Sequence, residues 1–501
     1  MIDTERQDTI CAIATPPGNG AIAIIRLSGP VSLAIADEIF QPSKKNVKIS
    51  KEPGYTIHFG SIQNQGEIVD EVLLSVFKEP NSYTGENAIE ISCHGSQYIQ
   101  KMIIELLLEK GARHARPGEF TMRAFLNGKF DLSQAEAVAD LIAASSGTSH
   151  ELALNQMRGG FSFRIKELRT KLVNFISLVE LELDFSQEDV EFADRDQLKE
   201  LVTELYSEIE QLVSSFKVGN VLKKGIPVAI VGKPNVGKST LLNAILNEEK
   251  AIVTDIPGTT RDVIEDTIIL GSYGFRFIDT AGLRHSTDRV ESIGIERTYE
   301  MIEKASVVLY VFDVGSADCS EIKKELEEFK VQGSGYKDTV AGREDNRTVG
   351  QEDEVSANQQ STSRTPHRAI SNVKQFILVA NKTDLLEEAP KGLKEFLDME
   401  CLFVSAKRKE NINLISERLL LAVDELNIQD QTLVSNLRHY EALANTKKSL
   451  ESTLEGLESG LSNDLLATDI RDALFHLGTI TGEITTDEIL GNIFSKFCIG
   501  K

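Results

Sequence analysis

One stretch constrains this chain more than any other: IPVAIVGKPNVGKST, residues 226–240. An apolar strand-like run leads into GxxxxGK[ST], and LLNAIL opens a helix directly after it. Gly232 and Gly237 let the backbone curl so that its amides point at phosphate oxygens. Lys238 is placed to reach terminal phosphates and Ser239 to ligate magnesium. A strand–loop–helix of this kind belongs to a doubly wound, mostly parallel α/β sheet.

Four later motifs name the base and the switch. DIPGTTRD (Asp255–Asp262) supplies Thr260, a hydroxyl able to reach magnesium and the terminal phosphate. FIDTAG places Asp279 in the metal's outer shell and lets the Gly282 amide sense the γ-phosphate. ILVANKTD ends an apolar strand on Asn381 and Asp384. A carboxylate at Asp384 accepts both the ring and exocyclic N–H groups of guanine, a donor pair adenine lacks. FVSAK (Ser405, Ala406, Lys407) offers backbone amides to the guanine oxygen. Five motifs in this order, each following a strand, predict a GTPase domain. Leu283 follows DTAG where a water-orienting glutamine is usual, and an apolar side chain cannot orient water. Glu291 is the candidate to replace it. No arginine is placed as a finger in cis: Arg261 can equally pair with Asp262. Asn235 is a candidate ligand for a monovalent cation beside the phosphates.

The remaining sequence frames this unit. Residues 1–118 mix β-type runs (AIAIIRL, EVLLSVF, AIEISCHG) with Gly/Pro loops and one helical stretch, YIQKMIIELLLEKGA, an α+β pattern. Helices take over across 119–217. There SQAE (Ser133–Glu136) reads as a capping box, and Leu198, Leu201, Val202, Leu205, Ile209, Leu212, Val213 and Phe216 form an apolar stripe. Strands and helices alternate over 218–422, and helices return over 423–501 with Leu437, Tyr440, Leu443, Leu450 and Leu454 on one face. The expectation is a discontinuous helical domain with the α/β domain inserted. Residues 332–372 are polar and hold too little apolar surface to offset their ordering entropy, so a disordered insertion is expected there.

Charge and cysteine usage limit the partners. A net charge of −23 disfavours a broad phosphate-binding surface. Two basic stretches remain: Arg113, Arg116, Arg123 and Lys129, then Arg158, Arg164, Lys166, Arg169 and Lys171. Both read as solvated helix faces of mixed charge. Five scattered cysteines with no CxxC pair predict free thiols in a reducing cytoplasm, and His94 beside Cys93 reads as a strand-end histidine satisfied by backbone. Neither a leader segment nor an apolar run long enough for a membrane span is evident. The final CIGK is a poor lipidation box, because Gly500 and Lys501 do not fit one.

Taken together, ATPPGNGAIAIIRLSGP, PNSYTGENAIEISCHG, RPGEFTMRAFLNGKFDLSQAEAVADLI, GKPNVGKSTLLN, DIPGTTRDVIE, DTAGLR, IGIER and terminal CIGK resemble the MnmE (TrmE) family of tRNA-modification GTPases. The resemblance runs from near residue 8 to Lys501, apart from the polar insertion. It implies an N-terminal tetrahydrofolate-binding and dimerising α+β domain (1–118), then a helical domain in two parts (119–217 and 423–501). A Ras-like P-loop G domain (218–422) is inserted between them. The implied activity is potassium-stimulated GTP hydrolysis in a homodimer. Partnered by an FAD-dependent MnmG-like subunit, the family adds an aminomethyl or carboxymethylaminomethyl group to C5 of the wobble uridine in certain tRNAs. A 5-formyl- or methylene-tetrahydrofolate serves as one-carbon donor.

The nucleotide contacts implied are Asn235, Val236, Gly237, Lys238, Ser239 and Thr240 in the first loop. Thr254, Asp255, Ile256, Pro257, Gly258, Thr259 and Thr260 follow in the second, and Asp279, Thr280, Ala281 and Gly282 in the third. Around the base they are Asn381, Lys382, Thr383, Asp384, Ser405, Ala406 and Lys407. Magnesium falls to Ser239 and Thr260, and potassium to Asn235, Thr254, Ile256 and Thr259. Glu291 would orient water through an intermediary. The folate residues carry over to Arg26, Glu90, Lys129 and Lys501, with the Cys498 thiol placed for a nucleophilic role. A ribosome-assembly GTPase switch of the Era or Der kind is the alternative. Such proteins append basic RNA-binding domains, against the acidic balance here.

Overall fold

A computed structural model describes residues 8–184, 195–248, 266–278, 291–333, 375–390, 392–424, 432–495 and 497–501. The chain divides into two compact units. One holds Met1–Ala144, His150–Asn220 and Thr432–Lys501; the other holds Ser145–Ser149 and Val221–Gln431.

The first unit opens with a seven-stranded sheet: β1 (Ile10–Ile13), β2 (Ile22–Ser28), β3 (Phe40–Pro42), β4 (Thr56–Asn64), β5 (Glu67–Phe77), β6 (Ala88–His94) and β7 (Arg113–His114). Its order is β3-β4-β5-β6-β2-β1-β7. All pairings are antiparallel except β1 with β7. Gln65 and Gly66, both at positive φ (50° and 91°), close the β4–β5 hairpin, the twist that two-residue connections prefer. Alternation decides the faces. Ile25, Leu27, Leu74, Val76, Ile89 and Ile91 are buried with Ile35 and Ile39 of α1 (Ser32–Ile39) and Ile103 and Leu107 of α2 (Gln97–Glu109). On the opposite face Arg26, Glu90, Ser75 and Ile57 stand directly across from one another.

Helices follow: α3 (Glu119–Leu126), α4 (Leu132–Ala143), α5 (Gly147–Met157), α6 (Gly160–Asp184) and α7 (Arg195–Lys224). The capping box lies two residues before the expected one. Asp131 accepts from the Gln134 amide (3.0 Å) while the Gln134 side chain accepts from the Asp131 amide (3.0 Å). Ser133 is therefore inside α4, where its hydroxyl bonds Asp131 (3.1 Å) and Ser162 (2.6 Å). Residues Ser145–Ser149, expected to belong to the first helical stretch, cluster with the second unit, because Thr148 bonds the Ser272 carbonyl through both its amide and its hydroxyl.

The second unit continues with β8 (Ile226–Val231), α8 (Lys238–Glu248), β9 (Asp266–Leu270), β10 (Tyr273–Phe277), α9 (Glu291–Lys304), β11 (Val307–Asp313), α10 (Cys319–Gly333), β12 (Gln375–Asn381), α11 (Leu393–Asp398), β13 (Leu402–Phe403) and α12 (Asn413–Asp424). The sheet runs β13-β12-β11-β8-β10-β9, parallel except at the β9–β10 edge. All six residues of β8 are buried, as a central parallel strand covered on both faces requires. The polar stretch 332–372 begins within the last two residues of α10; from 334 onward it lies outside the described residues.

Helices α13 (Leu437–Glu458), α14 (Asn463–Thr481) and α15 (Asp487–Phe494) return to the first unit. Leu443, Leu450, Ile470 and Leu477 share a core with Leu168 and Leu172 of α6 and with Leu198, Val202, Leu205, Ile209 and Leu212 of α7. Leu437 departs from the expected stripe: it is the first residue of α13 and is 57% exposed, ahead of the turns that pack. Glu136 of α4 ties this bundle together, paired bidentately with Arg438 (2.9 and 2.7 Å) and bonded to buried His439 (2.7 Å).

Candidate nucleotide and tail sites

The first site is built where β8 stops. The chain turns at Gly232 with φ 144°, and a Cβ there would run into the Val311 carbonyl oxygen. Asn235 takes φ 62° and Gly237 φ 98°, and a Cβ on Gly237 would meet the Asn381 amide nitrogen. Such alternation of hands directs successive amides to one side, and leaves no room for a side chain at Gly232 or Gly237. Lys238 opens α8, and its ammonium is held by the Gly232 and Lys233 carbonyls (2.7 and 2.8 Å). Burial pushes its pKa down. Ser239 and Thr240 follow in the first turn of the same helix.

The base side is fastened to that loop through one residue. Asn381 ends β12 at 2% exposure, donates to the Val236 carbonyl (2.8 Å) and accepts from the Ala406 amide (3.0 Å). It therefore fixes the phosphate loop and the SAK turn at once. Lys382, at φ 67°, reaches Asp313 at the end of β11 (2.8 Å), and the Thr383 amide bonds the Val404 carbonyl (3.2 Å). The Asp384 carboxylate accepts from the Ser405 hydroxyl (2.8 Å), which lowers its pKa and turns it towards the SAK loop. Ser405 also takes the Arg408 amide (3.1 Å), and Ala406 is buried while Lys407 is exposed. The arrangement fits a purine bearing two adjacent N–H donors, with its polyphosphate over the loop.

Several expected residues lie outside the described ones: Thr254, Asp255, Ile256, Pro257, Gly258, Thr259, Thr260, Asp279, Thr280, Ala281 and Gly282. Glu291 is the first residue of α9. Sequence reading missed Lys233, whose ammonium pairs with Glu321 (2.8 Å) and Glu325 (3.2 Å) of α10; a lysine inside a glycine loop gave no hint of a helix so far along the chain.

The second site joins the two ends of the first unit. Arg26 of β2 pairs with Glu90 of β6 (2.9 and 2.7 Å) and donates to the Gly500 carbonyl (3.2 Å). Its guanidinium stands over the Tyr83 and Phe120 rings, 5.3 and 5.5 Å from their centroids. The tail is seated by its backbone: Gly118 donates to Cys498 (3.4 Å) and Phe120 to Lys501 (3.2 Å). Gly500 takes φ 92°, and a Cβ there would meet the Ile13 carbonyl. Cys498 is exposed. Lys129 donates instead to the Pro80 carbonyl (3.0 Å). Tyr83 and Phe120 were not singled out from sequence, although both lie in the quoted motifs.

Two charge readings need correction. Arg113 and Arg123 do not lie on a solvated face. Arg123 is 3% exposed and bonds Asp8, Glu86 and Glu119, with Arg113 sharing Asp8 and Glu119, because three carboxylates converge there. The second stretch does form exposed mixed pairs, Arg164 with Glu167 and Lys171 with Glu204. His94 is satisfied by Asp70, not by backbone: both its Nδ1 and its amide bond that carboxylate at 2.8 Å.

A parallel sheet whose central strand feeds a phosphate cradle, with NKTD and SAK at the ends of the next strands, defines a P-loop domain for guanine nucleotides. Family profiles described as the MnmE helical domain and the GTP-binding protein TrmE N-terminus match residues 132–498 and 9–129. Two proteins, each named tRNA modification GTPase MnmE, are 50% identical: one from Cytophaga hutchinsonii over 500 residues and one from Flavobacterium johnsoniae over 502 residues. Each comparison covers 99% of both chains. A third from Bacteroides fragilis is 48% identical over 99% of this chain and 100% of its own. The chain belongs to the MnmE family of tRNA modification GTPases.

Proposed function

We propose that this chain is a potassium-stimulated GTPase of the cytoplasm that works as a homodimer with an FAD-dependent MnmG-like subunit. Its GTP cycle drives addition of a carboxymethylaminomethyl or aminomethyl group to C5 of the wobble uridine of certain tRNAs. The observation that carries the reading is Arg26: one guanidinium is fixed by Glu90, two aromatic rings and the carbonyl of Gly500, from the far end of the chain. No helix among the described residues is long and apolar enough to cross a membrane.

In this reading the loop amides around Gly237 hold the β-phosphate, and Lys238 leaves its two carbonyls for the terminal phosphates. Asp384 reads guanine while Asn381 keeps loop and base turn in register. Ser239 and Thr260 would hold magnesium, which offsets phosphate charge when bound. Asn235, exposed at φ 62°, would hold potassium together with Thr254, Ile256 and Thr259, and that cation would supply the charge of an arginine finger. Glu291 would orient water through an intermediary. Arg26, Glu90, Lys129 and Lys501 would hold a 5-formyl- or methylene-tetrahydrofolate, the source of one carbon. Arginine and lysine suit its carbonyl and carboxylates, and glutamate suits its N–H donors. Cys498 stands exposed beside that seat for a nucleophilic role. The domain limits 1–118, 119–217, 218–422 and 423–501 belong to the same proposal.

Titration with 5-formyltetrahydrofolate tests it. Wild type should bind, and Gly500→Ala, whose Cβ strikes the Ile13 carbonyl, should bind at least ten-fold more weakly with GDP affinity unchanged. Absence of folate binding by wild type, or unaltered wobble uridine in a deletion strain, would refute it.

A further inference from the structure

Residues 43–55 connect the end of β3 to β4 at the edge of the seven-stranded sheet. Four lysines stand there, Lys44, Lys45, Lys48 and Lys51, against one carboxylate, Glu52, in a chain of net charge −23. All four are exposed. The nearest carboxylate on α1, Asp37, is already engaged by the Ser50 amide (3.1 Å) and lies 3.9 Å from Lys48. Lys78, just past the end of β5, braces the loop by donating to the Ser50 carbonyl (3.2 Å).

Beside this basic island Tyr55 is 71% exposed at φ 63°, a conformation that disfavours bulky side chains. Its amide is pinned to the Val76 carbonyl (2.7 Å), and Phe77 touches its ring edge-on. A strained backbone that holds a large ring out in solvent points to a contact made there. Ile57, two residues on, lies on the same sheet face as Arg26, three strands away along the row Ile57–Ser75–Glu90–Arg26. At about 4.8 Å per strand, that is roughly 14 Å.

We propose that the β3–β4 loop is the docking surface for the RNA substrate: the four lysines contact phosphates and Tyr55 stacks on an unpaired base. This rests on the tRNA reading above and names the surface that serves it. A compact basic island in an acidic chain suits a polyanion, and one exposed ring suits a base. An anionic bilayer would call for an extended amphipathic helix, and the only helix of this segment is the three-residue 3-10 turn Ile49–Lys51. Exposed Phe59 extends the same face along β4.

The test uses full-length protein and an unmodified tRNA transcript, with affinity measured from 50 to 200 mM KCl. Four phosphate contacts contribute about 3 to the slope of log K against log salt, so across this range wild-type affinity should fall about 60-fold more than that of Lys44→Gln/Lys45→Gln/Lys48→Gln/Lys51→Gln. Tyr55→Asn removes the ring with a residue that tolerates positive φ. It should weaken binding about ten-fold and leave the slope intact. Both variants should keep wild-type GTPase rates without tRNA, and wild-type oligomeric state. The proposal is overturned if the lysine variant binds with wild-type affinity and slope, or if Lys323→Gln/Lys324→Gln on α10 costs as much. It also falls if the variants lose tRNA only by becoming monomers, or if the loop confers binding to phosphatidylserine vesicles and not to tRNA. If wild type itself fails to bind tRNA, the functional reading fails with it; if wild type binds and the variants bind equally, only the surface is wrong.

Discussion

Asn381 offers the sharpest test of how the nucleotide site is held. Asn381→Ala deletes both the donor to Val236 and the acceptor for Ala406 at a position 2% exposed. Each backbone group left without its partner costs about 1–3 kcal/mol, so the second unit should lose about 4 kcal/mol. For a unit of this size, that corresponds to a fall in melting temperature of about 10 °C. Asn381→Asp keeps an acceptor for Ala406 but turns a carboxylate oxygen onto the Val236 carbonyl, and should do more harm despite its near-identical shape. Nucleotide-free protein would be melted and then titrated with a fluorescent GDP analogue. Both variants should melt lower and bind GDP at least ten-fold more weakly. Saturating GDP should add back about 4 kcal/mol at a thousand times the dissociation constant, which offsets the loss. If both variants melt within about 2 °C of wild type and bind GDP normally, Asn381 is not the tie between loop and base turn.

Two further outcomes follow from other side chains. Asp384→Asn replaces a carboxylate by a group that donates as well as accepts, so guanine nucleotides should bind about 100-fold more weakly and xanthine nucleotides better, read by competition. For Glu136, burial pushes the carboxyl up, yet His439 and Arg438 outweigh it and hold the pKa at about 2 against an ordinary 4.5. A depressed pKa gives stability that is fully present above about 4.5 and is lost as pH falls towards 2, here about 3 kcal/mol. Denaturant midpoints of wild type should drop over that window, whereas Glu136→Gln should begin lower at pH 7 and show a flatter acid limb.

What could be read from the sequence was local. The phosphate loop is legible because a strand, two glycines, Lys238 and a helix are contiguous. The stripe from Leu198 to Phe216 is legible because helical periodicity needs no partner to show itself. The capping box lies two residues from where sequence points because Ser133 and Asp131 offer the same chemistry, and only the entry angle of the chain decides which oxygen caps the helix. Arg123 looks solvated in the sequence because its carboxylates come from Asp8, Glu86 and Glu119, and only Glu119 is a neighbour in sequence.

The Arg26 site carries this furthest. Glu90 stands opposite Arg26 by strand register, Tyr83 precedes that strand, Phe120 opens a helix, and Gly500 lies 474 residues away. Each is ordinary alone, and no periodicity links them. Among these contacts Gly500 has the strictest requirement, since its left-handed φ and the Ile13 carbonyl exclude any side chain. The glycine of CIGK is therefore explained by geometry: it lets the backbone lie close enough for its carbonyl to meet Arg26. The amides of Gly118 and Phe120 hold the carbonyls of Cys498 and Lys501 on either side. Removing the last four residues would take away one acceptor of the Arg26 guanidinium and leave two backbone amides without partners. The carboxyl end thus belongs to the wall of the site formed by the amino-terminal sheet.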